Sequence, residues 1–186
     1  MMIRHYIGFH GTGVEAAEKI METQKFVKST GLDEWLGNGV YFFQYPLDAK
    51  WWCQAGPHRK NYQTGYRVLQ TELTPNSVVD LLGSFEDIEN FKHFCDIVRN
   101  KSSKLPNGKK RSNYMSLAIK LMCFERKVRI DMIVAGFNQN RKFWYANNSP
   151  MVKNFPIQVT QVQYCVLNTL CIGQITEYEE RCVENE

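Results

Sequence analysis

At 186 residues, 44% of them apolar and 13% aromatic, the chain has enough core-forming surface for one packed domain and lacks the polar bias of a disordered protein. No apolar run nears the roughly 18 residues of a membrane-spanning helix and the first residues lack the apolar stretch of a secretory signal, so a cytoplasmic protein without a membrane partner is expected. The formal net charge of +4 hides an asymmetry, since residues 177–186 hold five glutamates and one arginine, an acidic tail behind a basic body. Six cysteines contain no Cys-x-x-Cys pair and four histidines are dispersed, which predicts ordinary thiols and no metal site.

In chain order, residues 2–9 carry Ile3, Tyr6, Ile7 and Phe9 and stop at Gly11, which reads as a short strand closing in a tight bend with His10 at its mouth. Thr12 followed by Glu15 matches a capping box, and Val14, Ala17, Ile20 and Met21 give a helix over about 14–22 its apolar face. Gly37 and Gly39 permit a second corner and a close ligand approach, because neither carries a Cβ. Val40 to Phe43 then reads as a strand, and a helix over 47–53 follows Pro46 and carries Trp51 and Trp52. An aromatic strand opposite an aromatic helix makes a slot for a flat ring, since edge-on or offset rings gain about 0.5–1.5 kcal/mol beyond area burial.

Further on, Phe85, Ile88, Phe91, Phe94 or Cys95, and Val98 recur at helical spacing, and Tyr114 to Phe124 repeats the pattern with Met115, Ala118, Ile119 and Met122. Between these two helices Arg99, Lys101, Lys104, Lys109, Lys110 and Arg111 form an acid-free segment broken by Pro106-Asn107-Gly108. It reads as a mobile loop, either merely solvated or able to follow a nucleic-acid backbone. Residues 129–137 and 142–146 read as a hairpin-like strand pair, and 159–168 as a late β-run. A single α+β domain over 1–186 follows, with a helical insertion at about 84–125 and two packed, mainly antiparallel sheets.

The ordered pair of motifs, His10-Gly11-Thr12 and Leu36-Gly37-Asn38-Gly39-Val40-Tyr41-Phe42, resembles the signatures of poly(ADP-ribose)-polymerase-like ADP-ribosyltransferases of the His-Tyr-Glu/Gln type. The likeness is to a compact bacterial or phage member more than to a eukaryotic one, and Arg67 to Leu73 with Val78-Val79-Asp80-Leu81 fits a strand of that family and its exit. The resemblance implies the ADP-ribosyltransferase-like fold with an NAD cleft between its sheets. Carried over, His10 bonds the adenosine ribose, the Gly11 main chain bonds the nicotinamide carboxamide, Tyr41 stacks on the nicotinamide ring and Trp52 forms a second wall. Thr12 and Phe42 lie inside the two signatures, Ser29 is a further candidate nucleotide contact, and Ala49 stands where the family usually has a serine hydroxyl. The third element, usually Glu, falls on Gln163, with Gln161 two residues earlier on the same strand face. Bringing residues 10, 41 and 163 together requires the last strands to pair beside the first.

A carboxamide at 163 only donates or accepts hydrogen bonds, whereas a carboxylate also stabilises positive charge on the ribose and takes a proton. The resemblance therefore implies a mono-ADP-ribosyltransferase using NAD as co-substrate, without metal, and passing ADP-ribose to RNA or DNA along the basic loop or to protein. A toxin or phage-conflict role, with an antitoxin or inhibitor as partner, fits such a chain. A catalytically silent NAD or ADP-ribose module and an NAD glycohydrolase stay open beside it.

Overall fold

Among the described residues, apolar and β-favouring side chains place seven strands in one sheet rather than the two expected. The computed structural model describes residues 4–29, 34, 36–56, 59–102, 113–127, 129–138 and 160–179. In chain order the strands are β1 (Tyr6–Gly13), β2 (Val40–Phe43), β3 (Tyr66–Leu73), β4 (Val78–Asp80), β5 (Met132–Asn138), β6 (Thr160–Val166) and β7 (Ile172–Glu177). Their spatial order is β4-β5-β6-β2-β1-β3-β7, with β4 and β5 parallel and the other neighbours antiparallel. The late strands extend the sheet instead of starting a second one, because β6 adds to β2 and β7 adds to β3. The long-range closure expected from residues 10, 41 and 163 is thereby made.

β1 runs straight through the two residues expected to end it. Each of its eight residues has a partner on β3, from Tyr6 with Leu73 to Gly13 with Tyr66, so His10 lies within the strand opposite Leu69 and not at its mouth. Gly13 instead starts α1 (Val14–Thr23) with no side-chain cap, and the Thr12–Glu15 capping box does not form. Thr12 is still extended and committed to the ladder opposite Arg67, which removes it from the capping position.

β1 and β2 are joined by a single registered pair, Phe9 with Phe43. The sheet is therefore two halves, β4-β5-β6-β2 and β1-β3-β7, meeting at that point. α2 (Pro46–Ala55) starts with Pro46 in its first turn, where the missing N–H costs nothing, and buries Asp48, Ala49 and Cys53. α3 (Phe85–Ser102) and α4 (Asn113–Arg126) pack on each other and place Val98, Ala118, Ile119 and Met122 in the core, with Ile119 and Met122 against Val79, Ile133 and Cys165. The apolar stripe of α3 begins later than its spacing suggests, since Phe85 is 78% exposed.

The expected strand at 142–146 and residues 103–111 of the basic loop lie outside the described residues. Of the acidic tail, Glu177 instead closes β7, and its carboxylate accepts from Arg67 Nη1 at 2.9 Å. β7 itself carries no alternation that marks it in the sequence.

Candidate functional site

Beyond the Phe9–Phe43 pair, a side chain bridges the gap between the two halves of the sheet. His10 Nδ1 donates to the main-chain oxygen of Tyr41 at 2.8 Å. Because the partner is a carbonyl, Nδ1 carries the proton, and in the neutral ring Nε2 is left as an acceptor. The imidazole stands edge-on to Phe26 (centroids 5.0 Å, 69°) and Phe42 (5.8 Å, 62°). Burial lowers its pKa below the usual histidine value, against a smaller upward pull from the Tyr41 carbonyl. A neutral, oriented imidazole follows at neutral pH.

The side chain of Tyr41 turns elsewhere. Its hydroxyl donates to the Gly37 carbonyl at 2.8 Å and accepts from the Leu36 N–H at 3.1 Å, clamping the Gly37–Gly39 loop. Burial, reinforced by the neighbouring Cys165, holds the phenol well above its ordinary pKa, so it stays protonated. The same loop presses on β6, since a Cβ at Gly39 would lie 2.6 Å from Cys165 Sγ and 2.9 Å from the Val166 oxygen. That close approach explains the second glycine of the motif.

Gly11 is explained in the same way from the other half. A Cβ there would come within 2.5 Å of the Ala49 oxygen and 2.7 Å of Cys53 Sγ, so α2 seats directly on this glycine. Seating α2 brings Trp52 to Phe43, with ring centroids 6.0 Å apart and planes tilted by 48°. Tyr41 and Phe43 alternate with Phe42 along β2 and so share one face with their β6 partners Cys165 and Gln163. Tyr41, Trp52 and Gln163 are thus gathered on one face, while the His10 ring packs with Phe26 and Phe42.

Gln163 is 6% exposed, between Phe43 on β2 and Ala135 on β5. Gln161, opposite Phe137, is 1% exposed, and neither atom of its amide has a hydrogen-bond partner among the described residues. Phe42 and Ala49 are fully buried and back the site from within the core. Thr12 is half-buried beside Tyr66 and Arg67 in the β1–β3 ladder. Ser29 is tied to the glycine loop: its N–H donates to the Gly39 carbonyl at 2.9 Å and its hydroxyl to the Glu34 carboxylate. Sequence reasoning missed Phe26, whose ring flanks His10, because no periodicity marks it between Lys25 and Val27.

No protein-family model matches the chain, and no solved structure matches it. An uncharacterized protein of Methanocaldococcus jannaschii is similar to part of it, with 33% identity over 66 residues. That match covers 35% of this chain and 31% of the archaeal protein.

No described helix is long and apolar enough to cross a membrane, and no group of three or more His, Cys, Asp or Glu among the described residues could hold a metal. Of the basic segment, Arg99 lies in α3 and meets Asp96 at 3.6 Å. One face thus offers a carboxamide and flat apolar walls, and the opposite face a neutral imidazole whose bond to the Tyr41 carbonyl reaches across the gap between the strands. These groups suit holding a flat ring and hydroxyl groups better than moving a proton.

Proposed function

We propose that the chain is a mono-ADP-ribosyltransferase that cleaves NAD and passes ADP-ribose to a macromolecular acceptor. The observation that carries this reading is the His10–Tyr41 bond at the meeting point of the two sheet halves, with Gln163 one strand away on β6. Nicotinamide would lie against Tyr41 and Trp52, with Gly11 main-chain groups beside its carboxamide. His10 Nε2 would accept from a hydroxyl of the adenosine ribose, and Gln163 would bond the nicotinamide ribose. The bond between the ribose C1′ and the nicotinamide nitrogen breaks, and nicotinamide leaves with the bonding electrons. An acceptor oxygen or nitrogen then forms the new bond to C1′ and loses its proton to solvent water. Gln163 cannot take that proton, so this chemistry suits an acceptor that needs little activation.

A second reading is a nucleotide-binding module without catalysis, favoured by the buried amide at 163 and the absent hydroxyl at Ala49. Incubation of the protein with labelled NAD and cell lysate, followed by nuclease or protease, separates the two. The transferase labels one class of macromolecule and Tyr41→Ala does not. Undiminished labelling by Tyr41→Ala would remove the proposed site, whereas NAD binding without nicotinamide release would support the module. Free ADP-ribose as sole product would identify an NAD glycohydrolase.

A further inference from the structure

We propose that Gln161 is a second polar contact for the bound nucleotide, hydrogen-bonding a ribose hydroxyl alongside Gln163. The inference rests on the nucleotide reading above but uses an observation which that reading does not need. Both amide atoms of Gln161 are buried with no hydrogen-bond partner among the described residues, in a residue 1% exposed. Buried polar side-chain groups nearly always have partners, so an orphaned amide points to a partner that binds from outside the chain.

Register supplies the direction. Along β6 the residues sharing a face are Cys165 beside Tyr41, Gln163 beside Phe43, and then Gln161. Two strand positions separate each from the next, about 6–7 Å. Gln161 is therefore displaced by about 13 Å of strand from the level of Tyr41, beyond contact with a ring held there. What lies on the far side of Gln163 from a nicotinamide is sugar, and a ribose hydroxyl both donates and accepts. A carboxamide also does both and meets that chemistry from either of its atoms. The two glutamines are then successive contacts along one ligand, not alternatives for one position.

The test uses Gln161→Met, which keeps length and volume and removes both polar atoms. Calorimetry with NAD, ADP-ribose and nicotinamide as separate probes is combined with thermal melting of the free proteins. The expected result is a higher Tm for the variant, about tenfold weaker binding of NAD and ADP-ribose, and unchanged binding of nicotinamide. Unchanged affinity for all three probes would overturn the assignment, as would an equal loss for nicotinamide or a lower Tm. His10→Ala, measured in parallel, keeps the two readings apart. If wild type binds NAD and His10→Ala does not, but Gln161→Met binds normally, only the Gln161 assignment falls. If wild type binds none of the probes, the nucleotide reading falls and takes the assignment with it.

Discussion

His10 and Tyr41 are linked through one ring nitrogen and one main-chain oxygen at 2.8 Å, across the gap that β1 and β2 leave after Phe9 and Phe43. The imidazole does there what a ladder bond would otherwise do, and it leaves its second nitrogen for a ligand. His10→Ala should lower stability by about 1–3 kcal/mol, through an unpaired carbonyl and lost ring contacts, and abolish NAD binding. Denaturant melts and calorimetry measure the two effects separately. Intact NAD binding in a destabilised His10→Ala would show the histidine to be structural only.

The lowered pKa of His10 fixes the sign of a pH effect. Unfolded, the histidine binds a proton near its ordinary 6.5; folded, it resists until lower pH. Its contribution to stability is complete above about 6.5 and declines as pH falls from there towards the folded value, by at most about 1.4 kcal/mol per pH unit. Tm measured from pH 8 to 5 should fall in the acid half for wild type. In His10→Gln that segment of the curve should flatten.

Tyr41→Phe separates ring from hydroxyl. The ring remains for stacking, while the bonds to Leu36 and Gly37 are lost and the Gly37–Gly39 loop is no longer clamped. A loss of about 1–2 kcal/mol in stability with little change in nicotinamide affinity is expected. Tyr41→Ala should lose both. Equal affinity loss in the two variants would place the hydroxyl, not the ring, against the ligand.

Gly11→Ala forces a methyl group onto the main chain of α2, at 2.5 Å from the Ala49 oxygen. The helix must shift, at a cost of about 1–3 kcal/mol, and it moves Trp52 with it. Weaker nicotinamide binding together with a blue-shifted or red-shifted tryptophan emission would register that displacement.

Gln163→Glu restores the carboxylate that the ADP-ribosyltransferase resemblance leads one to expect. If the reading of this site is right, nicotinamide release from NAD should rise by about tenfold or more. The rise should grow with pH, because burial beside Phe43 and Ala135 keeps the new acid protonated until its raised pKa is passed. Unchanged release at every pH would argue for the silent module.

Local signals were legible where one element decided the outcome. Val40 to Phe43 is legible to the residue because Gly39 and Pro46 bracket a run of β-formers, and Pro46 marks the start of α2. Gly11 reads as a terminator from the sequence because its reason for being glycine, the seat of α2, is a contact 38 residues away along the chain at Ala49. β7 was missed because Ile172 to Glu177 takes its pattern from pairing with β3 rather than from its own alternation. At the site, His10 and Tyr41 were both legible as residue types. Their actual link, through the Tyr41 carbonyl, belongs to any residue at 41 and leaves no trace in a motif.

The order β4-β5-β6-β2-β1-β3-β7 also governs when the molecule can close during synthesis. β2 and β3 are made early, yet each waits for its outer neighbour until residues beyond 160 emerge. Until then both edges carry unpaired N–H and C=O groups, and Phe42 lacks the Tyr164 strand opposite it. Closure by such distant contacts is slow, because the loop entropy is lost before the non-local pairing compensates it. In a nascent chain the Tyr41 strand would thus stay without its Gln163 neighbour until residues 160–166 had left the ribosome.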